Sequence, residues 1–227
     1  MALYIVSTPI GNLQDITLRA LDILKSADLI LCEDTRETKK LLGHYDIKTP
    51  TISYHQHSQF KKIEYIIQLL DEGKNLALVS DAGTPGISDP GNQLIAEIAR
   101  VSPAQIAQVS PVPGPSALTA AASASGFPMD KFIFMGFPPA KKKRRKFFEE
   151  VSLAKYPVIF YESPYRILKT LKELEATYDS SHGPKETLVV ACRELTKKFE
   201  TIYRGAIGQV AKEIVPKGEF VVIVKNK

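Results

Sequence analysis

Short apolar runs alternate with helical apolar patterns along the first half of the chain. Between the runs, apolar residues recur three or four positions apart, as at Ile63, Ile66, Ile67 and Leu70, which indicates helices with one buried face. Alternating strands and helices predict a mainly parallel sheet covered by helices. The runs expected to form its strands are residues 3–7, 29–32, 51–54, 76–80 and 106–109.

Polar residues in front of the helical patterns are expected to cap the helices. Asp15 is predicted to cap the first helix of the chain. Asp89 is predicted to cap another, with Pro90 at its first position, where proline is favoured. Ser163 is predicted to begin a third helix in the second half of the chain.

The pattern changes after Val109, where the proline-rich residues 111–115 and a short Ala/Ser-rich helix follow. Such connections often mark a boundary, which predicts two α/β domains, residues 1–112 and 113–227. In the second half, two strands with no helix between them predict a hairpin. The strands expected there are residues 132–135, 158–161, 187–192, 199–203 and 220–224. The predicted fold class is therefore α/β, with a mainly parallel N-terminal sheet and a mixed C-terminal sheet.

The charge of the chain is concentrated in one place. The 227 residues include 30 Lys and Arg against 25 Asp and Glu, a formal charge of +5, within an ordinary globular composition that is 44% hydrophobic. Without one run of six bases, the chain would be nearly neutral. This basic run consists of Lys141, Lys142, Lys143, Arg144, Arg145 and Lys146. It suits a polyanion such as nucleic acid or an anionic membrane, although a solvated loop explains it equally well.

Several classes of protein are disfavoured by the sequence. Cys32 and Cys192 lie far apart, so a disulfide framework or a thiolate metal site is not expected, and a reducing cytoplasm is inferred. The longest uncharged stretch, residues 101–129, holds five prolines and predicts no membrane helix. The N-terminus has no basic region before its apolar run, which argues against a signal peptide. His55 and His57 have no apparent third partner, so no metal site is predicted.

Three loops follow predicted strands at the edge where α/β sheets bind ligands. Residues 8–12 contain one glycine and favour a tight turn. Residues 80–91 contain three glycines and two prolines, a rigid loop in which Asp81 and Asp89 can accept hydrogen bonds from ribose hydroxyls or an ammonium group. Residues 113–117 lead into the small-residue helix, where either a ligand or close helix packing explains the small side chains.

Five ordered motifs resemble the bacterial ribosomal small subunit methyltransferase I family, within the tetrapyrrole methylase superfamily. They are residues 4–13, 32–36, 79–91, 113–117 and 160–166. The resemblance implies S-adenosylmethionine (SAM)-dependent methylation of the 2′-hydroxyl of a cytidine in 16S rRNA of the 30S subunit. It also implies two α/β domains with SAM in the cleft between them, in a cytoplasmic homodimer. Family members often carry a further C-terminal helical segment, so a chain ending at Lys227 is either truncated or a naturally short member.

The resemblance also implies which residues bind SAM. Since SAM already carries an activated methyl group, no metal is expected. The positions that correspond to the cofactor site are Pro9, Ile10, Asp81, Gly83, Ile87, Ser88, Ser116, Ala117, Tyr161 and Ala191.

A ribose hydroxyl is a poor nucleophile, so a general base or strong orientation should assist the reaction. Glu162 and Glu194 follow later strands and are also candidates. We favour Glu33, Asp34 and Arg36, which combine carboxylates with a phosphate-reaching arginine at a sheet edge. The alternative is a capped helix start, with Asp34 bonded to backbone N–H groups and Arg36 exposed.

Phosphate charge and the 2′-hydroxyl should dominate recognition of the acceptor. The predicted RNA contacts are the basic run, which is expected on a mobile loop, together with Arg166 and Arg193. Two other functions stay open from the sequence: a methyltransferase that acts on a corrinoid or porphyrin precursor, and a non-enzymatic RNA-binding assembly factor.

Overall fold

The computed structural model describes residues 2–54, 60–89, 91–101, 109–182 and 187–226. The chain forms two compact units, Met1–Ser116 (unit 1) and Ala117–Lys227 (unit 2), and each contains a five-stranded sheet. The first sheet is parallel and the second is mixed, which confirms the predicted fold class. The division of roles between residues 1–112 and 113–227 stays a prediction.

Unit 1 is built on a parallel sheet with the strand order β3-β2-β4-β1-β5. The strands are β1 (Ala2–Val6), β2 (Leu29–Cys32), β3 (Thr51–Ser53), β4 (Asn75–Leu78) and β5 (Val109–Val112). Most of the strand predicted at 106–109 lies outside the described residues, and β5 continues to Val112 through Pro111. Proline is tolerated there because β5 is the edge strand of the sheet that the described residues form, and its outer side has no strand neighbour among them.

Within the described residues, four helices cover this sheet, two on each face. They are α1 (Leu18–Ser26), α2 (Thr35–His44), α3 (Phe60–Asp71) and α4 (Asn92–Val101). Alternate residues of β4 divide between the faces: Ala77 packs in the cluster that holds α1 and α2, whereas Leu76 and Leu78 pack with α3 and α4. This arrangement follows from right-handed crossovers, because connections that run in opposite directions along a sheet lie on opposite faces.

Two of the predicted helix caps are wrong. Asp15 lies in a short 3-10 helix, Leu13–Asp15, and Thr17 caps α1 by accepting a hydrogen bond from the Ala20 N–H at 3.1 Å. Helix α4 begins at Asn92, so Asp89 does not occupy its capping position. The Asp89 carboxyl is therefore available for another role.

Unit 2 contains a sheet with the strand order β6-β7-β10-β8-β9. Its strands are β6 (Ile133–Phe134), β7 (Val158–Glu162), β8 (Leu188–Arg193), β9 (Thr201–Ala206) and β10 (Phe220–Val224). Strands β8 and β9 pair antiparallel, which confirms the predicted hairpin, and only β6–β7 pairs parallel among the described strands of this sheet.

The helices of unit 2 are α5 (Ala117–Ala124), α6 (Arg144–Leu153), α7 (Ile167–His182) and α8 (Ile207–Glu213). Helices α6, α7 and α8 share one apolar core with the sheet, in which Phe160 of β7 and Val222 of β10 are fully buried. Within the described ranges, none of the helices is both long and apolar enough to cross a membrane.

Candidate active site

The carboxyl end of the parallel sheet in unit 1 has the geometry of a ligand site. Strands β1 and β4 are neighbours, and the helices that follow them, α1 and α4, lie on opposite faces of the sheet. Where adjacent connections leave toward opposite faces, a crevice opens at the strand ends, and α/β proteins bind ligands there.

Hydrogen bonds join the three predicted loops of unit 1. The backbones of Thr8 and Gly83 exchange two bonds, of 2.9 and 3.0 Å. The Thr84 hydroxyl donates to the Pro115 carbonyl at 3.2 Å and lies 2.9 Å from the Ser7 hydroxyl, which is therefore the donor in that pair. The loops after β1, β4 and β5 thus form one connected backbone surface. Ser7 and Thr84 are not among the predicted site residues, although Thr84 lies within the predicted loop 80–91 and Ser7 directly precedes the loop 8–12.

Two glycines permit this close approach. Gly83 has φ +82°, a left-handed conformation that costs other residues about 1–3 kcal/mol. A Cβ atom at Gly114 would lie 3.0 Å from the Cβ of Ser7, which is tighter than normal packing. The glycine-rich composition of these loops is therefore required by the contacts between their backbones.

Three carboxyl groups gather at this edge, and we call Glu33, Asp81 and Asp89 the acidic edge. Burial, followed by the negative charges of Asp89 and Asp81, raises the pKa of Glu33 to about 7. Burial and the charge of Asp81 raise the pKa of Asp89 to about 6, against a hydrogen bond with Ser80. Glu33 Oε1 is a buried oxygen for which the described part of the chain supplies no hydrogen-bond partner.

Asp34 is held in a different way from its neighbour Glu33. Its carboxylate accepts a hydrogen bond from the Arg36 N–H at 2.8 Å, which caps α2, and pairs with the Arg36 guanidinium at 2.6 Å. These bonds to Arg36 lower the pKa of Asp34 to about 2. Its own N–H donates to Asp81 Oδ1 at 3.1 Å, which ties the loop after β2 to the loop after β4. Because a carboxylate with so low a pKa is a weak base, Glu33 is the stronger candidate for proton transfer.

The predicted cofactor residues of unit 1 differ in accessibility. Pro9 and Gly83 are buried and shape the loops, Ile10 and Ser116 are half-buried, and Asp81 is exposed. Ile87 and Ser88 are exposed as well, and Ser88 has φ +62°. All of these residues lie in the loops that follow β1, β4 and β5. Their contacts with a cofactor stay predictions.

The three cofactor residues predicted in unit 2 have separate positions. Ala117 begins α5, and the half-buried Tyr161 ring packs edge to face against Phe134 and Phe137, with centroids 5.0 and 5.4 Å apart. Ala191 is fully buried in the middle of β8, paired on both sides. Its methyl group belongs to the core, and its contact with a cofactor stays a prediction.

Glu162, one of the candidate bases, is occupied by a buried polar network. Its Oε2 accepts a hydrogen bond from the Thr170 hydroxyl at 2.5 Å, and its Oε1 pairs with Arg166 Nε at 2.9 Å. Arg166 also donates to the Pro138 carbonyl at 3.0 Å. Since the carboxylate is fully buried and saturated with donors, Glu162 acts structurally.

The basic run is divided by the structure. Arg144, Arg145 and Lys146 begin α6, so this half of the run is helical and the expectation of a mobile loop is wrong for it. Arg144 is buried and donates to Thr170 at 2.6 Å and Glu173 at 2.7 Å. We remove Arg144 from the predicted RNA contacts because its guanidinium is used inside unit 2. The other five bases are exposed.

Arg166 and Arg193, the other residues predicted to contact RNA, donate hydrogen bonds to backbone carbonyls. Arg193 donates to the carbonyl of Lys217 at 2.6 Å, and Arg166 donates to that of Pro138. Glu194, the other candidate base, accepts from the Glu219 N–H at 2.9 Å and pairs with Lys197 at 3.0 Å. Both arginines stay partly exposed, and their contact with RNA stays a prediction.

The titratable groups give no sign of a metal centre in the described ranges, where no three His, Cys, Asp or Glu side chains could hold an ion. His55 and His57 lie outside those ranges. Burial raises the pKa of both Cys32 and Cys192, the latter to about 11, as expected for unreactive core thiols.

The fold is that of a known class of methylating enzymes. The family model for Tetrapyrrole (Corrin/Porphyrin) Methylases matches residues 2–211, and the chain belongs to this family. The structure of a cobalamin biosynthetic enzyme, cobalt precorrin-4 methyltransferase, is similar with a TM-score of 0.70, covering 99% of this chain and 94% of that one at 17% identity. The methyltransferase CobJ is similar with a TM-score of 0.69 at 18% identity, over 99% and 94% of the two chains.

Relatives with higher identity carry the name Ribosomal RNA small subunit methyltransferase I. The protein from Halalkalibacterium halodurans is 46% identical over 99% of this chain and 75% of its own length. The protein from Thermotoga maritima is 44% identical over 99% of this chain and 98% of its own length. The resemblance to this family, drawn above from five motifs, is confirmed, and so is the prediction of a methyltransferase.

Proposed function

We propose that this chain transfers a methyl group from SAM to the 2′-hydroxyl of a cytidine in 16S rRNA of the small ribosomal subunit. The observation that carries the proposal is 43–46% identity, over almost the whole chain, to relatives named for the small-subunit rRNA. The acidic edge at the carboxyl end of the parallel sheet supplies the matching chemistry.

The residues of unit 1 fit SAM as the cofactor. When bound, SAM supplies a methyl group on a positively charged sulfur. The exposed Asp81 carboxylate can accept hydrogen bonds from the ribose hydroxyls of SAM, and Glu33 Oε1, unpaired within the described part of the chain, leaves an acceptor at the same edge for the substrate hydroxyl. The loops joined through Thr8, Gly83 and Thr84 present rigid backbone to such a ligand.

Glu33 is the residue we assign as the general base. With a pKa of about 7, its carboxylate is partly ionised at neutral pH and basic enough to accept the proton of a ribose hydroxyl. Asp34 and Arg36 hold the turn beside it and leave Arg36 exposed toward solvent, where it can meet a phosphate. In this assignment Glu33 moves the proton, while Asp34 positions the loop.

A second candidate function is methylation of a corrinoid or porphyrin precursor. The family description and the structural neighbours favour it, but those structures are only 17–20% identical and show the fold alone. A non-enzymatic RNA-binding assembly factor would not require the acidic edge. We therefore place both behind the rRNA reaction.

The test is transfer of radiolabelled methyl from SAM by the purified chain to three acceptors: unmodified 30S subunits, free 16S rRNA and a porphyrin precursor. We expect label in rRNA, at a cytidine whose 3′ phosphodiester bond resists alkali, because alkaline cleavage requires a free 2′-hydroxyl. Label in the macrocycle alone, on a base, or in no acceptor would overturn the proposal. Comparing the two RNA acceptors also shows whether assembled 30S is required.

The proposal extends to a cytoplasmic homodimer. Sedimentation equilibrium should give twice the 25.1 kDa mass of the chain, and a monomer at assay concentrations would contradict this part of the proposal alone.

A further inference from the structure

A groove of about 800 Å³ lies between α6 and α7 of unit 2. Apolar surface from Phe148 and Leu153 lines it, together with the exposed bases Lys141, Arg145 and Lys169. Its volume falls in the range of about 300–1,000 Å³ that is typical of ligand sites. We call this feature the basic groove. Two exposed bases of the basic run, Lys141 and Arg145, line it together with Lys169 from α7.

The acidic residues in the basic groove do not cancel its positive charge. Glu173 accepts a hydrogen bond from the buried Arg144 at 2.7 Å and lies 3.7 Å from Lys169. Glu149 pairs with Arg145 at 2.8 Å, but 92% of the Arg145 side chain is exposed. Exposed pairs of this i,i+4 kind contribute little, so a phosphate group can replace the carboxylate at low cost.

Stability of α6 does not explain the position of these bases. The first turn of the helix carries Arg144, Arg145 and Lys146 and no acidic residue, and Lys143 at the N-cap makes no side-chain cap. Cations at a helix N-terminus oppose the helix dipole, whereas an anion there is stabilised. These cations therefore destabilise the isolated helix and favour the binding of an anion at its N-terminus.

The buried arginine beneath the groove fixes its rim. Arg144 donates to the Pro139 carbonyl at 3.1 Å and to Thr170 on α7 at 2.6 Å, so it connects α7 with the segment that leads to Lys141. Lys141 and Lys169 are consequently presented by supported backbone on the two sides of the groove.

We propose that the basic groove binds the phosphodiester backbone of the rRNA substrate, with Lys141, Arg145 and Lys169 contacting phosphates. This inference rests on the proposed function. If the basic run acted as a uniform charge, all of its exposed bases would contribute equally. Here, only the bases that line the groove contact phosphates.

The test compares two triple variants with the same change of charge. One is Lys141→Gln, Arg145→Gln and Lys169→Gln; its control is Lys155→Gln, Lys172→Gln and Lys212→Gln, three exposed residues of unit 2 outside the groove lining. Lys172 lies on α7 only three residues from Lys169. Binding to unmodified 30S subunits is measured between 50 and 200 mM salt, with SAM affinity measured alongside by calorimetry.

We expect the groove variant to bind 30S subunits about tenfold or more weakly at low salt. The slope of log affinity against log salt should fall by about 2, since each phosphate that the protein neutralises on single-stranded RNA accounts for roughly 0.7 of that slope. The control should stay close to the unaltered protein, and SAM affinity should not change. Equal weakening in both variants would show diffuse attraction and overturn the groove assignment, as would unchanged binding in both.

A strengthening of binding supplies an independent check. Glu149→Gln removes an acid from the groove, whereas Glu150→Gln removes its neighbour, which faces Lys146 at 4.0 Å outside the groove. The first should strengthen 30S binding more than the second; equal effects would count against the groove.

A membrane is the alternative partner of the basic groove. Groove-dependent binding to anionic vesicles with unchanged 30S binding would overturn the proposal in favour of a membrane. If the unaltered protein methylates rRNA while the groove tests fail, only this inference falls.

Discussion

The acidic edge of unit 1 and the basic groove of unit 2 use charge in opposite ways. At the acidic edge, the half-buried Glu33 and Asp89 and the exposed Asp81 lie on loops that are joined through hydrogen bonds, and the pKa of Glu33 rises to about 7. In the basic groove, the charges are exposed and their partners are one helical turn away, as in Arg145 and Glu149. In our proposal, the first arrangement tunes the pKa of a group that transfers a proton, and the second leaves cations that can exchange one anion for another.

Two kinds of arginine are found within unit 2. Arg144 is buried and bonded to Thr170 and Glu173, whereas Arg145 beside it is almost fully exposed. Arg144 therefore stabilises the fold, whereas its neighbour Arg145 contacts the substrate in our proposal. Charge counted along the sequence does not distinguish them.

The largest expected effect is on the acidic edge. Glu33→Gln removes the proposed base, and single-turnover methyl transfer should slow by about 10²- to 10⁴-fold, the usual contribution of a positioned base. SAM affinity by calorimetry should change only a few-fold. Asp34→Asn is the matched control and should cost less activity, because Asp34 supports the loop. A Glu33→Gln enzyme with full activity would break the contrast between the two regions.

The next effect is on stability, beneath the basic groove. Glu162→Ala leaves Arg144 and Arg166 without their buried carboxylate, and loss of one partner from such a network costs about 3–5 kcal/mol. Urea denaturation should show this loss. The exposed Glu150→Ala on α6 is the control and should stay within about 0.5 kcal/mol. Equal, small changes would mean that the buried network does not support the groove.

The smallest effect is a shift in pH dependence. If Glu33 must be ionised, the single-turnover rate should rise as pH increases through about 7 and then level off. The charge of Asp89 contributes to the raised pKa of Glu33, so Asp89→Asn should move this rise to lower pH. A pH profile that does not move, or that moves to higher pH, would contradict the electrostatic coupling between the two carboxyls.

The same Glu33 carboxyl should also affect folding. Its pKa is raised in the folded state, so its contribution to stability is present at low pH and is lost as pH rises from about 4.5 through about 7.

The sequence predicted the strands and the order of elements well, because alternation and helical spacing follow directly from burial. The same spacing could have found Arg144: Arg144, Phe148 and Val151 recur at i, i+4 and i+7, the buried face of α6. The approach of Glu33 to Asp89 could not have been predicted, because it joins loops 56 positions apart through the sheet order. The cap of α1 could not be predicted from residue type, because Asp15 and Thr17 are both accepted capping residues and the local fold places Asp15 in a 3-10 helix and Thr17 at the cap.

The most direct test of these assignments measures SAM affinity and 30S affinity on two variants side by side. One is Asp81→Ala at the acidic edge; the other is the triple Lys141→Gln, Arg145→Gln and Lys169→Gln in the basic groove. We predict that the first variant loses SAM binding and keeps 30S binding, while the second keeps SAM binding and loses 30S binding. If both variants lose both affinities, or if Asp81→Ala binds SAM normally, the assignment of the cofactor to one region and of the rRNA to the other is contradicted.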